Sequence, residues 1–170
     1  MGYEVFFNQN EIIKINGELI HEIKEKAKIS SNGRYRLCMQ HSPHDSLHEM
    51  YIVRSKGDYG RPDKHLHTTE SHTIVDGAML IVLFEDDGEI KDVFELSQRN
   101  YHTYRIDTNI YHMQIPLTEQ VVYYEVKLGP FTDKSNIFPE WAPTPQEEYK
   151  VMTFMEEVNR KIQLFQERIK

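Results

Sequence analysis

Four side chains able to bind a metal lie within eight positions of one another: Asp63, His65, His67 and Glu70, in the stretch GDYGRPDKHLHTTESHTIVDG from Gly57 to Gly77. Carboxylate oxygens and imidazole nitrogens are the donors that hold divalent first-row metals. On an extended strand, side chains alternate with period two, so Asp63, His65 and His67 would share a face. The set still needs a donor from elsewhere in the chain, and His112 supplies it. A metal so held would act as a Lewis acid on a carbonyl or hydroxyl oxygen. His67 and Tyr104 are the candidate catalytic groups for moving the proton.

These donors need a scaffold. From Asn16 to about Ile29, the pattern NGELIHEIKEKAKI sets Leu19, Ile20, Ile23 and Ala27 at helical spacing. Asn16 caps this helix and Ser30-Ser31-Asn32-Gly33 stops it. From Arg34 to Leu128 the chain reads as short β-rich runs: RYRLCMQH, SLHEMYIVR, SHTIVDGAMLIVLFE, EIKDVFEL, YHTYRID, IYHMQIPL and QVVYYEVKL. Asp86-Asp87-Gly88 joins two of them as a hairpin. Many short strands in succession suggest a closed barrel or a sandwich. Pro130, Pro139, Pro143 and Pro145 then mark irregular chain. Thr144-Pro145-Gln146-Glu147 opens a long helix, with Thr as cap, Pro at the first position and Glu three residues after the cap. Its apolar residues Val151, Met155, Val158, Ile162, Phe165 and Ile169 alternate by four and three, which is heptad spacing. That stripe either lies on its own barrel or forms a seam between two subunits. The expected organisation is one structural domain: an N-terminal helical segment (1–33), a β-barrel (34–143) and a C-terminal amphipathic helix (144–170).

At 170 residues the chain can bury a sizeable core. Its net charge of −7 argues against general nucleic-acid binding, which needs a basic surface. No apolar run approaches a membrane span, and the N-terminus lacks a secretory pattern. The single cysteine, Cys38, fits a reducing cytoplasm. The expectation is a cytoplasmic protein without membrane or nucleic-acid partners.

The spacing of the donors carries more information than their number. Asp63-x-His65 follows Gly57, Glu70 follows His65 with four residues between, and Gly77 follows Glu70 with six between. This resembles the first cupin motif, with Asp63 in place of its first histidine. Pairing His65 with His67 keeps both histidines but leaves only two residues before Glu70. The segment from Asp107 to His112 keeps the spacing and the histidine of the second motif, with Asp107 for proline and Asn109 for glycine. Asparagine is the next-best residue for a left-handed turn. Together GDYGRPDKH, FEDDGEI, YYEVKLGPF and EWAPTPQEE look like the WbuC family of cupin-fold metalloproteins, over most of the chain up to about Glu148. The resemblance implies a double-stranded β-helix barrel around one divalent metal ion (Zn, Mn, Fe or Ni). It implies Asp63, His65, Glu70 and His112 as ligands, with His67 the alternative to Asp63. It also implies a homodimer and a place in bacterial surface-polysaccharide (O-antigen) biosynthesis.

Arg34, Arg36, Arg54 and Arg61 surround the motif, and arginine forks suit carboxylate and phosphate groups. Arg36, Arg61 and Tyr59 are the candidate ligand-binding residues, and a sugar nucleotide is the candidate ligand. His41, His44 and His48 form a second group, where a second metal, polar contacts at the barrel mouth or no role are the alternatives. His72 and His102 have no partner at motif spacing and read as structural. Cys38 reads as a small buried residue. Three functions follow as expectations: isomerisation or epimerisation of a small oxygenated molecule, non-catalytic ligand binding or regulation, and iron-dependent dioxygenation.

Overall fold

Alternating burial along the β-rich runs folds them into two facing sheets. The computed structural model describes residues 4–132 and 135–168. The elements run β1 (Glu4–Phe7), α1 (Gly17–Ile29), β2 (Arg34–Cys38), β3 (Leu47–Ser55), β4 (Glu70–Asp76), β5 (Ala78–Phe84), β6 (Ile90–Ser97), β7 (Thr103–Ile106), β8 (Tyr111–Pro116), β9 (Gln120–Leu128) and α2 (Glu148–Arg168). One sheet has the order β1-β2-β3-β9-β4-β7 and the other β6-β5-β8. Among the described strands only β1 and β2 pair in parallel.

Four layers result. Between the sheets lie Cys38, Met50, Ile52, Ile74, Met79, Ile81, Leu96, Val121 and Tyr123. Outside the larger sheet, Ile23 and Ala27 of α1 pack on Tyr35, Leu37, Val53 and Val122. Outside the smaller sheet, Val158 and Ile162 of α2 pack on Val82, Phe84, Val93, Tyr111 and Met113. The sheets are therefore apolar on both faces, as layered packing requires.

The capping signals are realised locally. Asn16 Oδ1 accepts from Leu19 N at 3.0 Å, which satisfies an orphan donor of the first turn. Glu147 accepts from the main chain and hydroxyl of Thr144, but regular helix begins only at Glu148. The helical stripe lies on the chain's own barrel through Val158 and Ile162, with Met155 and Phe165 alongside. Ile169 lies outside the described residues.

Two turns position the site. Gly77 has φ +79°, and a side chain there would press on Gln120 O and Thr118 Oγ1 at 2.5 Å. It divides into β4 and β5 what the sequence presents as one long run. Asn109 has φ +63°, the left-handed turn expected where the motif has glycine.

The stretch from Gly57 to Thr69 departs from expectation, because it is not a strand. Among its residues only Asp63 and Lys64 form bridges, with His112 and Ile137. Asp63 and His112 exchange both main-chain bonds, at 3.2 and 3.0 Å, which lays this segment beside β8. Glu70 on β4 and His112 on β8 belong to different sheets, so these two side chains meet across the barrel.

Candidate metal centre

His65, Glu70 and His112 converge inside one end of the barrel, each offering a donor atom within 4.8 Å of the others. All three are buried. His65 Nε2 lies 3.1 Å from Glu70 Oε2, and His112 Nε2 lies 2.7 Å from Glu70 Oε1. Two ligands bound at about 2.1 Å with ordinary bond angles sit about 3.0–3.4 Å apart, so the spacing is close to that of a coordination shell. The alternating face of β4 turns Glu70 inward, and β8 does the same for His112.

The outer nitrogens set the chemistry of the inner ones. His65 Nδ1 donates to Ser135 O at 2.9 Å and His112 Nδ1 donates to Ile110 O at 3.1 Å. Each neutral ring then carries its hydrogen on Nδ1 and aims a bare Nε2 lone pair at the carboxylate. This is the second-shell arrangement of metal-binding histidines. Despite the short contact, Glu70 Oε1 makes no hydrogen bond. Lone pairs facing lone pairs call for a cation between them, either protons on the rings or a metal ion.

The electrostatics agree. Burial pulls the His112 imidazole down, but Glu70 and Asp63 outweigh it and raise it to about 9. His65 rises for the same reason. Burial works against the charge on Glu70, yet His112 and His72 hold its carboxyl well below the usual range. Protons and a metal compete for the same nitrogens.

Asp63 stands at the edge of this group. It lies 3.8 Å from His112 Nε2 and accepts from Asn136 Nδ2 at 2.6 Å. Burial pushes its carboxyl up, against the pull of His112 and His65. It also lines a cavity of about 340 Å³ with Arg34, Arg54, Gln114, Asn136 and Phe138. On the other side, His65 and Lys127 border a gap of only about 10 Å³. Larger grooves follow α2, away from these donors.

The remaining candidates are placed differently. His67 is exposed, outside the cluster, because the irregular backbone breaks the alternation that would have aligned it with Asp63 and His65. Arg61 donates to Ala142 O at 3.0 Å and Pro139 O at 2.8 Å, and Tyr59 donates to Pro143 O at 2.9 Å. Both side chains tie down the segment leading to α2, although both also border the cavity. Arg36 lies on the inward face of β2, beside Cys38 and within the field of Lys127. Tyr104 is inside, its hydroxyl 2.6 Å from His72 Nδ1. Burial, then Glu70, raise that phenol well above its ordinary value, so it keeps its proton. Of His41, His44 and His48, only His48 is buried, and the three do not form a metal-binding group among the described residues.

Sequence spacing missed His72, Glu125 and Lys127. His72 Nε2 lies 3.3 Å from Glu125 Oε2 and 3.5 Å from Glu70 Oε1, and Lys127 Nζ lies 3.2 Å from Glu125 Oε1. Period-two alternation could have found them, since Glu70-x-His72 and Glu125-x-Lys127 each share a strand face.

Residues 15–96, a little under half the chain, match a family described as a domain of unknown function (DUF6016). No protein of curated function matches the sequence. Among solved structures the chain is similar to CapF crystallised with the inhibitor 3-isopropenyl-tropolone, at 14% identity and a TM-score of 0.53, covering 65% of this chain and 33% of CapF. It is also similar to protein SO0799 from Shewanella oneidensis, at 11% identity and a TM-score of 0.52, covering 68% of this chain and 82% of that one. KdgF from Halomonas sp. aligns at 17% identity with a TM-score of 0.48, covering 62% and 86%. This chain thus spans about a third of the length of CapF. The fold is that of the cupins: mainly β, two sheets closing a barrel, with a helix before it and one after. The barrel carries buried His and Glu groups able to hold a metal. No described helix is long and apolar enough to cross a membrane.

Proposed function

We propose that this protein is a metal-dependent cupin that binds a small oxygenated molecule and acts on it, a sugar or sugar derivative being the first class to test. The observation that carries the reading is the pair of Nε2 atoms, of His65 and His112, aimed at one buried carboxylate. His65, Glu70 and His112 would hold the ion, with Asp63 as the fourth ligand. A divalent ion there supplies Lewis-acid polarisation of a ligand oxygen.

The chain's own residues do the rest. Ser135 O and Ile110 O fix the two rings. The cavity at Asp63 has room for a ligand, and Gln114 and Asn136 offer polar contacts on its wall. Asp63 stands between the cluster and the cavity, which makes it the group placed to exchange a proton with a ligand if it does not bind the ion. Isomerisation or epimerisation fits such a proton transfer, and dioxygenation with iron is the rival chemistry. The finer reading, a sugar nucleotide of surface-polysaccharide synthesis acted on by a homodimer, rests on the resemblance to the WbuC family. Ligand binding without catalysis is the alternative from a different class.

The test is a thermal-shift screen of metal-loaded protein against sugars, nucleotide sugars and 2-oxo acids. Stabilisation by one class in the wild type, lost in His65→Ala and His112→Ala, supports the reading. Equal stabilisation of metal-free protein would overturn it.

A further inference from the structure

We infer that the barrel interior contains a second cation-binding set, formed by His72 and Glu125 and joined to the first through Glu70. The inference rests on the proposed outer site only through that shared carboxylate. Glu70, His72 and Glu125 each place a donor atom within 4.8 Å of the others, and all three are buried. The distances from His72 Nε2, 3.3 Å to Glu125 Oε2 and 3.5 Å to Glu70 Oε1, are close to those between neighbouring ligands of one ion. His72 is 0% exposed, and its Nε2 makes no hydrogen bond. Its Nδ1 is engaged by Tyr104 Oη at 2.6 Å, which holds the ring in place.

The strands explain why the two sets meet. His72 follows Glu70 on the inward face of β4, and β9 pairs alongside with His72 opposite Glu125. Glu70 Oε1 faces His112 on one side and His72 on the other. A carboxylate shared in this way is how two-ion sites hold their ions about 3.5–4 Å apart. Charge sets a condition. Asp63, Glu70 and Glu125 bring three negative charges into this interior, while Lys127 and Arg36 bring two positive ones. That leaves one net negative charge; one divalent ion turns it into one net positive charge, and a second adds two more. The doubly filled state would therefore take a bridging anionic oxygen, from hydroxide or from an acidic ligand.

The experiment is a count of tightly held metal. Metal-free full-length protein is loaded with zinc, passed through gel filtration and measured by elemental analysis, and the fold of each metal-free variant is checked by circular dichroism. The expected result is two equivalents in the wild type and one in His72→Gln and in Glu125→Gln. The double variant His65→Ala, His112→Ala should also hold one, and Glu70→Gln none. Tyr104→Phe removes no ligand and should weaken only the inner equivalent, by about 10–100-fold. One equivalent in the wild type, kept in His72→Gln and Glu125→Gln but lost in the double variant, would overturn the inner set and leave the outer one. One equivalent with the reverse pattern would overturn the outer site and leave the inner set standing. A second equivalent that survives every variant lies elsewhere and also overturns the inference.

Discussion

The two ends of the barrel interior are built from the same strands and hold opposite chemistry. β4 runs inward through Glu70 and His72 before reaching Ile74, and β9 runs back through Tyr123 to Glu125 and Lys127. The apolar end is filled by Ile52, Met79, Ile81, Leu96 and Val121, all nearly inaccessible. The polar end buries Glu70, His72, His112 and Glu125 instead. Buried apolar surface stabilises the fold at roughly 25 cal/mol per Å², whereas buried charge costs several kcal/mol per group unless it is paired. A barrel that keeps one end polar gives up stability there, and the donor geometry indicates a cation as the compensation.

The largest effect should come from the apolar end. Ile81→Ala should destabilise by about 2–5 kcal/mol in urea unfolding, while the metal content of the folded fraction stays unchanged. Altered metal content would show that the two ends are not independent. The next effect belongs to the polar end. Stripping the metal should lower the melting temperature, by the equivalent of about 2.7 kcal/mol where free metal had stood at 100 times its dissociation constant. His112→Ala, already unable to bind at the outer set, should show a clearly smaller drop on chelation. An equal drop in both proteins would remove His112 from the site.

A third test concerns the segment between the cavity and α2. Arg61→Ala removes two bonds from a charged donor to main-chain carbonyls and should cost about 1.5–3 kcal/mol, with Tyr59→Phe nearer 1 kcal/mol. Stability unchanged in both variants, with ligand stabilisation lost, would return these residues to a ligand-binding role. The smallest effect is at Cys38, where burial pushes the thiol up to about 11. The unfolded thiol ionises near 8.5, so the folded state binds the extra proton between these values. That contribution is fully present below about pH 8.5 and fades as pH rises toward 11. A thiol reagent at pH 8 should label Cys38 only after unfolding, and rapid labelling of folded protein would contradict its burial.

Much of this was legible in the sequence because alternation and turn chemistry are local. α1 begins where Asn16 caps it, and Asn109 takes the left-handed turn that its motif position demands. His65, Glu70 and His112 come together as their spacing implies. The expected alignment of Asp63, His65 and His67 failed because it assumed a strand, whereas bridges to His112 and Ile137 shape that segment. His72 and Glu125 stayed hidden for the opposite reason. Alternation puts each on the inward face of its own strand, but their meeting comes from the register between β4 and β9, which motif spacing does not record.

The proposed function requires a divalent ion between His65, Glu70 and His112. Anomalous diffraction from crystals of the protein loaded with zinc or manganese tests it directly. A peak is expected at about 2.0–2.2 Å from the Nε2 atoms of both His65 and His112 and in contact with Glu70. Peaks confined to exposed histidines such as His67, with Glu70 and His112 still in direct contact, would contradict it.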